Sequence, residues 1–169
     1  MNALVTGAAG FIGSHLVATL LDEGARVTGV DAFTDYYARS IKESNLDVNR
    51  GREGFTFVEG RLQDLDLGEL LHGVTHVFHL AAQAGVRKSW GRDFRVYTDN
   101  NVDATQQLLE SCVGRPLQIR REPAQKGDMR DTYADTALAR ADLGFAPAVT
   151  LEQGLESEYR WLSTVPALP

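Results

Sequence analysis

Thr6-Gly7-Ala8-Ala9-Gly10-Phe11-Ile12-Gly13 is the stretch that decides how this chain folds. It joins a short apolar run, Asn2 to Thr6, to a helical pattern from Phe11 to Glu23. In that pattern Ile12, Leu16 and Leu20 form one stripe, with Val17 and Leu21 beside it. Glycines between a strand and a helix permit a tight turn and let backbone approach a pyrophosphate. The third glycine lets the helix pack closely on the strand, and the helix offers free N–H groups and a positive dipole end. A glycine triplet alone is a weak signal. Here it is joined by Asp31, 18 residues beyond Gly13, at the end of a second apolar run, Arg26 to Val30. A carboxylate so placed accepts hydrogen bonds from a ribose 2′-hydroxyl and repels a 2′-phosphate. The residues therefore read as a dinucleotide site that favours NAD over NADP.

Outward from this turn the pattern continues. Gly24 stops the first helix. Phe55 to Val58 reads as a third strand and Thr75 to Leu80 as a fourth, with a short, acid-started helix from Asp66 to His72 between them. Asp93 to Cys112 is a long helical pattern. Strands alternating with helices predict an α/β fold, a Rossmann-type doubly wound parallel sheet. Near Cys112 the composition changes: all five prolines lie beyond it, and all four histidines lie before Leu80. Leu117 to Glu122 reads as one more strand, followed by a loop and helical segments at Asp135–Leu143 and Leu151–Leu162. The organisation expected is a nucleotide-binding part at 1–112 and a C-terminal helical and loop remnant at 113–169.

Composition narrows the classes. Of the 169 residues 43% are hydrophobic and 24% charged, as in soluble globular proteins. No apolar run approaches the ~20 residues that span a bilayer, and the N-terminus carries no basic leader, so a cytoplasmic protein is expected. The net charge of −6 argues against a nucleic-acid partner. The single cysteine, Cys112, excludes an intrachain disulfide and reads as a buried structural thiol. His76 and His79, three apart on a strand, face opposite sides and read as core or edge histidines rather than metal ligands; no metal site is expected. Asp64 and Asp66 read as a helix-start pair.

The glycine turn and Asp31 resemble those of the extended short-chain dehydrogenase/reductases, the NAD-dependent nucleotide-sugar epimerases and dehydratases. Asp31-Ala32-Phe33-Thr34-Asp35-Tyr36-Tyr37 is similar to the loop after the second strand in UDP-glucuronate 4-epimerases. His79-Leu80-Ala81-Ala82-Gln83-Ala84-Gly85-Val86-Arg87 is similar to their fourth-strand motif, which runs beneath the cofactor, and Asn101-Val102 with Leu108-Leu109-Glu110 to the helix after it. Gly127-Asp128-Met129-Arg130-Asp131-Thr132-Tyr133-Ala134-Asp135, Leu143-Gly144-Phe145-Ala146-Pro147 and Leu151-Glu152-Gln153-Gly154-Leu155 resemble the family's C-terminal segment. The resemblance implies an NAD site made by Gly7, Gly10, Phe11, Ile12, Gly13, Asp31, Ala32, Phe33, Leu62, Leu80, Ala81, Ala82 and Ala84. It also implies UDP-sugar contacts at Arg87 and Arg130, each of which reads equally well as a surface or ion-paired arginine.

The resemblance comes in two pieces, residues 1–112 and 113–169, and the middle of the family pattern is absent between them. In the family a tyrosine of a Tyr-x-x-x-Lys motif acts as base, its pKa lowered by the lysine. None of the five tyrosines qualifies: four places on stand Ser40, Ile41, Asn101, Ala137 and Ser163. Lys42 lies near Tyr37 but out of register. No catalytic residue is therefore assigned. Arg61 stands where the family has an acid near the adenine; it either stacks on the base or points to solvent.

Three readings follow: an NAD-binding epimerase relative without epimerase activity of its own, a working UDP-sugar 4-epimerase lacking its middle in this sequence, or a non-catalytic nucleotide-binding or assembly module. In the family fold the fourth strand is followed by a parallel, adjacent fifth; its loss with the missing middle exposes the edge of the fourth, leaving Val77, Phe78 and Leu80 half-covered. Either the Leu117–Glu122 strand or a second copy is expected there, and with it a homodimer or higher oligomer.

Overall fold

The computed structural model describes residues 1–85, 93–116 and 135–162. The chain divides into two compact units, Met1–Arg120 and Arg121–Pro169. The first contains a parallel sheet of β1 (Asn2–Thr6), β2 (Arg26–Asp31), β3 (Phe55–Glu59) and β4 (His76–His79) in the order β3-β2-β1-β4. Ala3 is paired with Val27 on one side and with His76 on the other, so β1 lies between β2 and β4. Its Ala3, Leu4, Val5 and Thr6 are all buried, because helices cover both faces of the sheet.

The two faces carry separate apolar clusters. Ala3, Val5 and Val27 pack with Val17, Leu20 and Leu21 of α1 (Phe11–Asp22). Leu4 and Val30 pack on the other face with Leu62, with Leu67 of α3 (Leu67–Leu70), and with Ala104 and Leu108 of α5 (Ala104–Val113). The buried stripe of α1 is rotated from the one expected. It runs through Gly13, Ser14, Val17, Leu20 and Leu21, while Ile12 is exposed. Counting apolar residues misses this, since two of the five buried positions are a glycine and a serine.

Asp66 caps α3, its Oδ1 accepting the Glu69 N–H at 3.0 Å. The long helix expected from Asp93 is a continuous helical run that changes pitch. α4 (Phe94–Thr98) passes into a π-helical turn at Asp99–Asp103 and then into α5. Cys112 is exposed, which corrects the reading of a buried thiol. It continues the i, i+4 stripe of Ala104 and Leu108, but α5 packs against α3 and the Leu62–Asp64 turn, and this cover does not reach its last turn.

α2 (Arg39–Asp47) was not foreseen. Its inward residues are Lys42 and Leu46, followed by Asn49, so no apolar repeat announces it. Among the described residues β4 has no strand on its outer edge; Val77 and Phe78 are half-buried and Leu80 is 40% exposed. The expected strand at Leu117–Glu122 lies outside the described residues. In the second unit, α6 (Ala137–Leu143) ends at Gly144 in the left-handed conformation, and α7 spans Leu151–Leu162. No helix among the described residues is long and apolar enough to cross a membrane.

Candidate functional site

Chain order reverses between β1 and β4. After β1 the chain builds β2 and β3 to one side, then returns to place β4 on the other. Ligands of open α/β sheets sit at such a switch point, beyond the carboxyl ends of the strands. A cleft of about 360 Å³ lies there.

Its floor is the glycine turn. Gly7 has φ of +73°, and a Cβ on it would meet Ala81 N at 2.9 Å. A Cβ on Gly10 would meet Gly7 O at 3.0 Å, and one on Gly13 would meet that oxygen at 2.0 Å. The turn is therefore a backbone surface with no room for side chains, the form that a pyrophosphate requires.

Asp31 closes one wall. Its carboxylate is 9% exposed, with Oδ2 accepting the Ala9 N–H at 3.1 Å and Oδ1 the Phe33 N–H at 2.8 Å. Two backbone donors fix its orientation and leave each oxygen a free lone pair. Phe33 has φ of +47°, and its ring is buried with Ala9 and Leu46.

The opposite wall follows β4. Thr6 is buried, and its Oγ1 accepts from the N–H groups of Leu80 and Ala81, each at 3.1 Å. Its own proton therefore faces His79 Nδ1, 2.8 Å away. His79 then carries its proton on Nε2, toward Thr105 Oγ1 at 3.0 Å, and the Thr105 hydroxyl donates to Asn101 O. Burial holds His79 below its ordinary value, consistent with a neutral ring. The wider π-helical turn presents Asn101, whose side chain clamps Gln83: Oδ1 accepts the Gln83 N–H at 2.7 Å and Nδ2 donates to Gln83 O at 3.1 Å. Tyr97 donates its hydroxyl to Ala84 O.

The cleft thus brings together Gly7, Gly10, Phe11, Ile12, Gly13, Asp31, Ala32, Leu62, Leu80, Ala81, Ala82 and Ala84. Phe33 is the exception: its ring turns into the core, and Arg39 stacks over it at 4.3 Å. Arg61 is exposed and lines the cleft. Arg87 and Arg130 lie outside the described residues. Among the described residues no cluster of histidine, cysteine, aspartate or glutamate would hold a metal ion.

Sequence reasoning missed Lys42, Tyr36 and Gln83 as cleft residues. Lys42, on α2, places Nζ 5.0 Å over the Tyr37 ring. It does not turn Tyr37 into a base. Burial, and then the Asp31 carboxylate, push the Tyr37 phenol above its ordinary value.

A parallel sheet, a glycine turn without room for side chains and an anchored carboxylate at the end of β2 define a dinucleotide-binding protein of Rossmann type. The profile of the NAD dependent epimerase/dehydratase family matches residues 3–122, and the chain belongs to that family. It is 47% identical over 119 residues to YtcB, an uncharacterized UDP-glucose epimerase of Bacillus subtilis (strain 168), covering 70% of this chain and 38% of that protein. It is 44% identical over 115 residues to UDP-glucuronate 4-epimerase 2 of Arabidopsis thaliana, covering 66% of this chain and 26% of that one. Among solved structures, the UDP-glucuronic acid 4-epimerase of Bacillus cereus in complex with UDP-glucuronic acid and NAD matches with a TM-score of 0.65 and 45% identity. That match covers 66% of this chain and 36% of that structure. The chain thus spans about a third of the length of these relatives.

Proposed function

We propose that residues 1–112 bind NAD as the cofactor half of a nucleotide-sugar epimerase, and that these 169 residues do not epimerise a sugar by themselves. The observation that carries the reading is the Asp31 carboxylate, held by two backbone N–H groups beside a turn where no Cβ fits. The N–H groups of the Gly7–Gly13 turn would hold the pyrophosphate, and Asp31 the adenosine ribose. Ala32 and Leu62 would flank the adenine, while Leu80, Ala81, Ala82 and Ala84 would run beneath the rest of the cofactor. NAD, when bound, accepts and returns a hydride. On the proton side this chain offers no Tyr-x-x-x-Lys pair, and Tyr37, the tyrosine close to a lysine among the described residues, has a phenol pushed upward.

Calorimetric titration with NAD and turnover of UDP-glucuronate test this together. Binding without turnover supports the proposal. Turnover would show that a working 4-epimerase is present, the second reading, which the 26–38% coverage of the relatives favours. No NAD binding would refute both and leave a module of another kind. For a UDP-sugar partner, the family resemblance assigns Arg87 and Arg130 to it. For a second copy, support comes from the outer edge of β4, which has no strand on it among the described residues, with Leu80 beside it. A dimer by native mass spectrometry is the expected result, and a monomer in dilute solution would refute the second-copy assignment.

A further inference from the structure

Lys42 is a lysine almost without water. Its residue is 6% exposed, yet among the described residues its single hydrogen bond is a long one, Nζ donating to Thr34 Oγ1 at 3.3 Å. Asp31 Oδ1 lies at 3.8 Å, ion-pair range but beyond a hydrogen bond, and the Tyr37 ring at 5.0 Å. An ammonium has three donors, and burying it with most of them unused is costly. Lys42, Asp31, Thr34 and Tyr37 all line the same cleft, so a ligand bound there can supply the acceptors that the protein does not.

The neighbouring cation is committed elsewhere. Arg39 makes a two-point pair with Glu59, at 2.9 and 2.8 Å, and a further bond to Glu43 at 2.8 Å. It does not line the cleft. Lys42 is thus the buried charge that balances Asp31.

We infer that Lys42 and Asp31 act as one ribose-recognising pair in which Lys42 donates to a ribose oxygen and sets how strongly a 2′-phosphate is refused. This rests on the dinucleotide reading above. Asp31 alone would repel a 2′-phosphate; an ammonium within 4 Å offsets much of that repulsion. Cofactor preference therefore depends on the balance of the pair rather than on the carboxylate alone.

The test is calorimetric titration of the full chain and its variants with NAD and with NADP, with circular dichroism to verify folding. Lys42→Met is expected to weaken NADP about tenfold more than NAD, because the carboxylate is then uncompensated. Lys42→Arg keeps the charge and is expected to hold the wild-type ratio. Asp31→Asn, with Lys42 intact, is expected to raise NADP relative to NAD by about tenfold. A lysine with a merely structural role would lower both affinities in parallel. A ratio that stays at the wild-type value in Lys42→Met, while wild type binds NAD, overturns the pair and leaves the dinucleotide reading standing, whatever Asp31→Asn shows. If Lys42→Met does not fold, Lys42→Gln, which removes the charge and keeps a donor, takes its place, and an unchanged ratio in it overturns the inference. Failure of wild type to bind either dinucleotide overturns both readings.

Discussion

Gly13→Ala puts the glycine turn to a direct test. Gly13 lies in the first turn of α1, and an added Cβ would stand 2.0 Å from Gly7 O, 2.8 Å from Gly7 C and 3.2 Å from Ala8 Cα. Real Cβ atoms do not come within 3.0 Å of a neighbour, so the atoms must part by at least 1.0 Å (3.0 less 2.0). All three obstacles are backbone, and no side chain can rotate away. The carbonyl cannot retreat freely either, since Gly7 O accepts the Gly10 N–H at 2.9 Å. The helix must lift from the turn, loosening Val17, Leu20 and Leu21 against Ala3, Val5 and Val27. Overpacking of this kind costs about 1–3 kcal/mol, and a purely backbone clash belongs at the upper end. Gly24→Ala is the control. Gly24 has φ of +77° and open space around its Cβ position, so its cost of about 1–2 kcal/mol is conformational alone. Urea denaturation and NAD titration on both variants separate the effects: Gly13→Ala loses stability and NAD binding together, whereas Gly24→Ala loses only stability. A Gly13→Ala protein within about 0.5 kcal/mol of wild type and still binding NAD would refute the close-approach argument.

Three further predictions concern the walls of the site. Thr6→Val keeps the shape of the side chain but removes the acceptor of the Ala81 N–H and the proton facing His79 Nδ1; a loss of about 1–3 kcal/mol is expected by urea denaturation. His79 is held below its ordinary 6.5 by burial, so the unfolded chain takes up a proton more readily than the folded one. Its contribution to stability is complete above 6.5 and declines as pH falls below it. The His79→Gln protein should show a flatter decline when denaturation midpoints are compared across that range, and an identical slope would refute the assignment. Asp66→Ala removes the cap of a helix of four residues, with an expected loss of about 0.5–2 kcal/mol and no change in NAD affinity.

The turn from Thr6 to Gly13, with Asp31 at the end of the next strand, was legible because its meaning is local. Glycine spacing, apolar runs and an acid at a fixed remove act through backbone sterics and chain direction, and they decide a parallel sheet with a dinucleotide turn before any distant contact forms. Only the tertiary structure decided what surrounds Asp31. Lys42, Leu46 and Asn49 turn inward from a segment with no apolar repeat, because what they face is brought beside them by the tertiary packing. Asn49, for instance, donates to Ser14 O across 35 positions, and the clamp on Gln83 comes from Asn101, 18 positions on. The exposure of Cys112 was hidden for the same reason. Periodicity fixes the stripe on which a side chain lies, while the length of the neighbouring layer fixes whether that stripe is still covered at its end. Local patterning thus set a parallel sheet and the place of the acid at the end of β2, and long-range packing set the order of the strands and the charge beside that acid.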